Sequence, residues 1–302
     1  MPGRPHELPT EFAQRAFSIH EGSVHGLSDS RMRASDLRRP FRGVRTLGLM
    51  SDMEARARAY AVRMPGDQVF SHATAAIILG MRLPRRLDKE PVHVTSVNEW
   101  ATRMKGVVGH RTENGVPYLE VSGLRVTTPA DTWCALATKL TLDELIIAGD
   151  GLVQRRKPVA SLGELRSAVA ARTGARGVKN LRRALQEVRE NTDSARETQL
   201  RLLICRSGLP EPEINVEIVN RYGAVIAHGD LVYPTAKVMI EYEGDHHFAD
   251  AEQYRIDIAR LDEVMEEGFR VIRVDKHLLA VPHTLLRKIR DALIASGQFP
   301  GL

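Results

Sequence analysis

Two short apolar runs in the last third of the chain carry acidic side chains in a pattern suited to holding a cation. The first is Gly229-Asp230-Leu231-Val232-Tyr233-Pro234, and the second is Val238-Met239-Ile240-Glu241-Tyr242-Glu243, followed by Gly244-Asp245-His246-His247. Side chains switch faces at every residue of a strand, so Glu241 and Glu243 share one face. Residues 233–237 can turn the chain, and an antiparallel pairing of the runs then brings Asp230 near Glu241. Three carboxylates a few ångströms apart repel, and a hard divalent cation with oxygen ligands relieves the repulsion. Magnesium, or manganese in its place, suits Asp230, Glu241 and Glu243 as ligands. Taken one at a time, each acid reads as a solvated strand residue; together, on apolar strands between polar helices, they read as a site.

Other polar groups flank these runs. Ser194 with Glu197 three residues on is a capping-box pattern, starting a helix that continues through Leu200, Leu203 and Ile204. Glu197 either caps that helix or leans from its first turn over the acids. Residues 251–267 read as a helix whose Ile256, Leu261 and Val264 face a core, while Gln253, Asp257 and Arg260, at i, i+4 and i+7, share a face. His247 and Arg260 are placed to steady a site; equally, His246 and His247 read as one exposed and one packed residue beside a turn, and Arg260 as a partner of Asp257. Residues 269–274 then read as a buried strand and 282–296 as a closing helix, giving the order helix, strands, helix, strand, helix.

Upstream, the chemistry is less explicit. His72, His93 and His110 invite a metal reading, but their spacings match no common ligand pattern, and packing or surface roles are expected for them. Cys134 and Cys205 lie in apolar helical contexts and read as buried reduced thiols. Residues 17–33 read as two short helices around a glycine-containing turn, with Ser28 as N-cap, a cramped helix-turn-helix. They lead into Asp36-Leu37-Arg38-Arg39-Pro40-Phe41-Arg42-Gly43-Val44-Arg45, where Arg38, Arg39, Arg42 and Arg45 flank Phe41 and Gly43 as in a β-wing that contacts DNA phosphates. A solvated turn with Phe41 packed inward is the competing reading. Residues 48–157 read as an α+β domain: helices over 53–64 and 71–80, strands at 92–95 and 124–128, and paired helices over 131–140 and 142–153. Basic residues crowd 155–189, which reads as a helical linker touching DNA or as solvated helices.

The chain has 302 residues, 43% hydrophobic and 27% charged, enough for two domains with their own cores. No run of about 18 apolar residues offers a membrane span, and the N-terminal residues lack the apolar core of a signal peptide, so a cytoplasmic protein with no membrane partner is expected. The net charge of +5 hides a division. Residues 1–190 carry 30 Lys and Arg against 20 Asp and Glu, whereas residues 191–302 carry 13 against 18. A basic front attracts polyanions and an acidic back suits a cation, as in a protein that grips nucleic acid with one part and acts with another.

Residues 193–280 resemble the domain related to very-short-patch-repair endonucleases within the PD-(D/E)XK nuclease superfamily. The likeness rests on Glu197, Gly208-Leu209-Pro210, Asp230, the stretch Ile240 to His247, and Gln253 to Arg260 leading to Gly268-Phe269-Arg270-Val271-Ile272-Arg273. Residues 17–153 more loosely resemble the winged-helix and following domain of AbiEi-like antitoxins, through Arg39-Pro40-Phe41-Arg42-Gly43-Val44, Ser71 to Ala76 and Val126-Thr127-Thr128-Pro129. The resemblance implies an α/β (α+β) chain with a restriction-endonuclease-like mixed sheet flanked by helices at the C-terminus, preceded by a winged-helix-like segment and a small α+β region. The implied division is 1–47, 48–157, 158–192 as a basic linker, and 193–302. It further implies that Asp230 and Glu241 ligate magnesium and that Glu197 assists. The superfamily pattern has a lysine where this chain has Glu243. Some members carry glutamate there, leaving Glu243 as a further ligand or as the base that takes water's proton, with Lys237, His247 or Gln253 as contacts to the scissile phosphate. The expected function is a metal-dependent DNA endonuclease. The alternative is a catalytically inactive, antitoxin-like DNA-binding regulator with a toxin partner, and a homodimer fits either.

Overall fold

The structure is a computed structural model and describes residues 7–97, 102–113, 115–243 and 251–299, with the backbone alone at 251–257. It is mixed α and β, with two mixed sheets flanked by helices. The chain divides into two compact units, Met1–Leu145 with Gly163–Arg183, and Ile146–Leu162 with Ala184–Leu302. No described helix is long and apolar enough to cross a membrane.

The first unit opens with short elements. Strand β1 (Phe17–Ser18) pairs antiparallel with β2 (Val44–Arg45), and helices Ile19–Val24 and Asp29–Arg33 lie between them in sequence. The expected cap is present: Ser28 Oγ accepts the Arg31 N–H at 3.1 Å. Arg38 and Thr46 exchange backbone hydrogen bonds of 2.8 and 3.2 Å, closing the loop that carries the arginines. Phe12, Phe17 and Leu37 form a small buried cluster, with the two rings stacked 4.4 Å apart.

The larger part of this unit is a five-stranded sheet in the order β5-β4-β3-β7-β6, built from β3 (Gln68–Phe70), β4 (Val92–Val97), β5 (Val107–Thr112), β6 (Tyr118–Val121) and β7 (Leu124–Thr127). The β4/β5 and β3/β7 pairs are parallel and the other two antiparallel. Apolar residues at every second position, such as Val92 and Val94, meet Met53, Ala57 and Tyr60 of helix Met53–Ala61 in the core. Trp133 is fully buried and its indole N–H donates to the Leu145 carbonyl at 2.8 Å. Cys134 is buried and its thiol is pushed up to about 11 by loss of solvent. The basic stretch expected to be helical carries helices Leu162–Ala170 and Val178–Glu187, which bury Leu165, Val169, Leu181 and Ala184.

The second unit is a four-stranded sheet in the order β11-β10-β9-β8, formed by β8 (Glu213–Val219), β9 (Val225–Tyr233), β10 (Val238–Tyr242) and β11 (Arg270–Val274). Strands β8, β9 and β10 run antiparallel in sequence, and β11 joins β10 in parallel after the helix Ala251–Glu266. Alternation along the strands sorts the two faces. Leu231, Tyr233, Val238 and Ile240 pack with Leu200 and Ile204 of helix Ala195–Arg206 and with Leu285, Ile289 and Leu293 of helix Pro282–Ala295. Val232 and Met239 pack the other way, with Val264 of helix Ala251–Glu266. Gly229 has no room for a side chain: a Cβ there would stand 2.6 Å from Val232 and 2.7 Å from Met239, so glycine lets β9 lie close to β10 immediately before Asp230.

Candidate functional site

The antiparallel register pairs Val238 with Tyr233, Met239 with Val232 and Ile240 with Leu231. The pairing ends there, and Asp230, the next residue of β9, lies near enough to Glu241 to feel its charge. Asp230 Oδ2 accepts the Tyr242 backbone N–H at 2.8 Å, which fixes the carboxyl against the end of β10. Burial, and then the nearby carboxylates of Glu197 and Glu241, push the Asp230 carboxyl up to about 7. Its environment supplies too little positive charge to hold it ionised at its ordinary value.

Another aspartate of the same unit shows what a satisfied buried carboxylate requires. Asp150 is fully buried, yet it accepts the Arg189 N–H at 2.8 Å, the Thr198 hydroxyl at 2.9 Å and the Arg201 guanidinium at 3.0 Å. Arg201, itself buried, continues to Glu211 at 3.1 Å and the Glu187 carbonyl at 2.9 Å. Asp150 is built into the fold. Among the described residues, Asp230 feels two other acids and accepts one N–H, fewer donors than Asp150 has.

Glu197 stands at the start of helix Ala195–Arg206, where its N–H donates to Ser194 Oγ at 3.1 Å. Its buried carboxylate accepts the Asp193 N–H at 2.8 Å and Asn215 Nδ2 at 3.0 Å. The carboxylate therefore supports the residue before the N-cap rather than closing a capping box on Ser194, and it contributes negative potential at Asp230. Glu241 has a mostly buried side chain that accepts from Arg260 at 3.3 Å, so Arg260 reaches across from its helix to the acid rather than only along it. Glu243 is ion-paired with Arg273, the register partner of Glu241 on β11. That pairing answers the charge repulsion expected among Asp230, Glu241 and Glu243 by giving Glu243 a cation of its own.

Several expected participants are placed elsewhere. Lys237 sits in the turn at the far end of β10, where its ammonium donates to the Glu267 carbonyl at 2.6 Å. His246 and His247 lie outside the described residues, as does the side chain of Gln253. In the first unit, Arg38, Arg39 and Arg42 are exposed, as phosphate contacts require. Arg45 is buried, and its guanidinium donates inward to the Met32 and Val44 carbonyls at 2.6 and 2.9 Å. Phe41 packs inward beside Tyr60.

Sequence reasoning missed three supporting groups. Arg155 pairs with Asp193 through Nε at 3.2 Å and also feels Glu197 and Asp230. Asn215 positions Glu197 from β8, at a left-handed φ of 49°. Arg273 balances Glu243. None carries a local pattern, because each meets its partner through the sheet or a long connection. The histidines differ most from expectation. Among the described residues, His72, His93 and His110 are the one group of three or more potential ligands whose ligating atoms all lie within 4.8 Å of one another. The three acids do not converge that closely.

Two proteins of Mycobacterium tuberculosis, from strains CDC 1551 / Oshkosh and ATCC 25618 / H37Rv, are each 28% identical to the chain over 226 residues, 74% of it and 80% of theirs. Both are described as uncharacterized. No family model and no solved structure matches the chain.

Proposed function

We propose that the chain is a metal-dependent DNA endonuclease whose site lies at Asp230 and Glu241 on a restriction-endonuclease-like sheet. The observation that carries this reading is Asp230: a carboxyl that accepts one N–H among the described residues, lies under the field of Glu197 and Glu241, and is pushed up to about 7. Magnesium is commonly held by one or two protein carboxylates together with substrate phosphate oxygens, so two acids suffice. The donor set of hard oxygens fits magnesium or manganese.

When bound, such an ion supplies Lewis-acid polarisation of the phosphate and an activated water. The chain's own residues do the rest. Asp230, oriented by the Tyr242 N–H, and Glu241 would hold the cation. Arg260, within 3.3 Å of Glu241, supplies a guanidinium beside the site that could contact a phosphate oxygen. Glu243 is released as a proton acceptor only if Arg273 lets it go. Exposed Arg38, Arg39 and Arg42 provide sequence-independent phosphate contacts.

A specific observation favours a second reading. Glu241 and Glu243 each already have a guanidinium partner, Arg260 and Arg273. A site neutralised by arginines in place of a metal would leave a DNA-binding regulator without cleavage.

Plasmid nicking with magnesium or manganese decides between them, with Asp230→Ala and Glu241→Ala proteins purified identically. Metal-dependent cutting lost in both variants supports the nuclease. Intact plasmid with either ion, together with a salt-sensitive gel shift, overturns it in favour of the regulator.

A further inference from the structure

We propose that His72, His93 and His110 form a three-imidazole site for a divalent transition metal ion of the zinc class, reached from the cleft beside them. The site belongs to the first unit and is independent of the acidic cluster. Its ligands come from three elements. His93 lies on β4 and His110 on the parallel strand β5, offset by two in the register that pairs Thr95 with His110. His72 begins the helix His72–Ile78 with a left-handed φ of 51°, a backbone state unfavourable for a residue other than glycine, and this conformation accompanies a ring stacked on His110 with centroids 3.6 Å apart. Strain held at a residue whose side chain meets two other histidines points to a requirement beyond helix formation. Ser71, which precedes this helix, makes no cap hydrogen bond; its hydroxyl contacts His72 Nδ1 at 3.0 Å and accepts from Thr95 Oγ1 at 2.8 Å.

The outer contacts orient the rings as metal-bound histidines are oriented. His93 Nε2 faces the Glu90 carboxylate at 3.3 Å, which leaves Nδ1 turned to His110 Nε2 at 2.9 Å. The Ser71 contact occupies His72 Nδ1 and leaves Nε2 free to ligate. A carboxylate or hydroxyl on the far nitrogen fixes tautomer and ring direction in metal sites. Zinc to nitrogen distances of about 2.0–2.1 Å place tetrahedral ligand nitrogens about 3.4 Å apart. The observed ligating atoms, 2.9 Å apart for His93 and His110 and all within 4.8 Å, bracket that value. The rings stand nearly parallel, 13–25° apart, so loading requires them to fan open until the ion lies near each plane.

Charge and access also fit. Burial and the neighbouring imidazoles hold His72 down to about 3 and His110 to about 4, so neutral lone pairs are present at neutral pH. Lys139 and Arg172, the cations that bear on these rings, are committed to Glu90 at 3.1 Å and Asp131 at 3.2 Å. A cleft of about 660 Å³ is lined by His72 and His110, giving an ion entry and room for a further ligand. Three imidazoles suit zinc, copper, nickel or iron better than magnesium.

The test uses the full chain, free of affinity tags and stripped with EDTA, titrated with zinc against a chromophoric chelator and with cobalt by visible absorption. One equivalent is expected, with the intense visible bands of tetrahedral cobalt. His72→Gln and His110→Gln are expected to weaken binding at least about 100-fold, and Glu90→Gln about tenfold, within the range for outer contacts. A His20→Gln/His25→Gln protein, altered at exposed histidines, is expected to bind as the wild type does. Absence of stoichiometric binding by the wild type, or full binding by a folded His72→Gln/His110→Gln protein, overturns the proposal.

Discussion

The acidic cluster of the second unit and the histidine cluster of the first solve one electrostatic problem from opposite sides. At Asp230, burial and two carboxylate neighbours penalise the anion, and the group takes up a proton, with its carboxyl at about 7. At His72 and His110, burial and imidazole neighbours penalise the cation, and the rings give up theirs at about 3 and 4. Each unit thus keeps a set of donors with little net charge, oxygen in one and nitrogen in the other. Hard and borderline cations are separated by that difference in donor chemistry. Asp150 is the internal comparison: burial raises its carboxyl too, but Arg189, Thr198 and Arg201 donate to it, so it is part of the framework.

The largest effect is expected at Asp150. Arg201→Met leaves Asp150 as an unpaired buried charge and should cost about 3–5 kcal/mol in denaturant unfolding, whereas Asp230→Asn, in metal-free buffer at pH 7, should stabilise. If Asp230→Asn destabilises to a similar degree, Asp230 is as structural as Asp150 and the contrast fails.

The pH dependence separates the clusters next. Asp230 has a raised folded value, so its stabilisation is complete below the ordinary aspartate value of 3.8 and is lost as pH rises to about 7, an effect on the order of 4 kcal/mol at most. The histidines have depressed folded values, so stability is complete above 6.5 and is lost as pH falls toward 4 and then 3. Between pH 4 and 6.5 the slopes oppose. Melting curves should therefore steepen in one direction in Asp230→Asn and in the other in His72→Gln/His110→Gln. Parallel curves for all three proteins would dissolve the comparison.

A smaller effect tests the oxygen site directly. Magnesium at ten times its dissociation constant should raise wild-type stability at pH 7.5 by about 1.4 kcal/mol and leave Asp230→Asn unchanged. Zinc at low concentration should instead act through the histidines and persist in that variant.

The sequence made the oxygen cluster legible because its logic is local. Period-2 alternation placed Glu241, a short turn set the register of the paired strands, and Ser194 with Glu197 marked a helix start; all of these appear in the structure. The two helices and the Ser28 cap of the first segment were readable for the same reason. The nitrogen cluster was hidden. His72, His93 and His110 come together through a parallel β4/β5 pair and a strained helix start, and neither leaves a spacing rule in the chain. Arg45 misled because four arginines in ten residues look alike in one dimension, while only the fold decides which one turns inward to the Met32 carbonyl.

The finest distinction concerns Glu243. Its pair with Arg273 is substantially exposed, with side chains 32% and 52% accessible, so Arg273→Ala should change stability by no more than about 1 kcal/mol. Its effect on cleavage is more informative, because the arginine occupies the carboxylate that would otherwise take water's proton. Under the nuclease reading with Glu243 engaged by Arg273, Glu243→Gln should slow metal-dependent nicking less than about tenfold, well short of the loss from Asp230→Ala. A general base typically contributes 10²–10⁴-fold. A loss of that size in Glu243→Gln would show that the pair opens during turnover, moving Glu243 from the neutralised edge of the oxygen cluster into its working part.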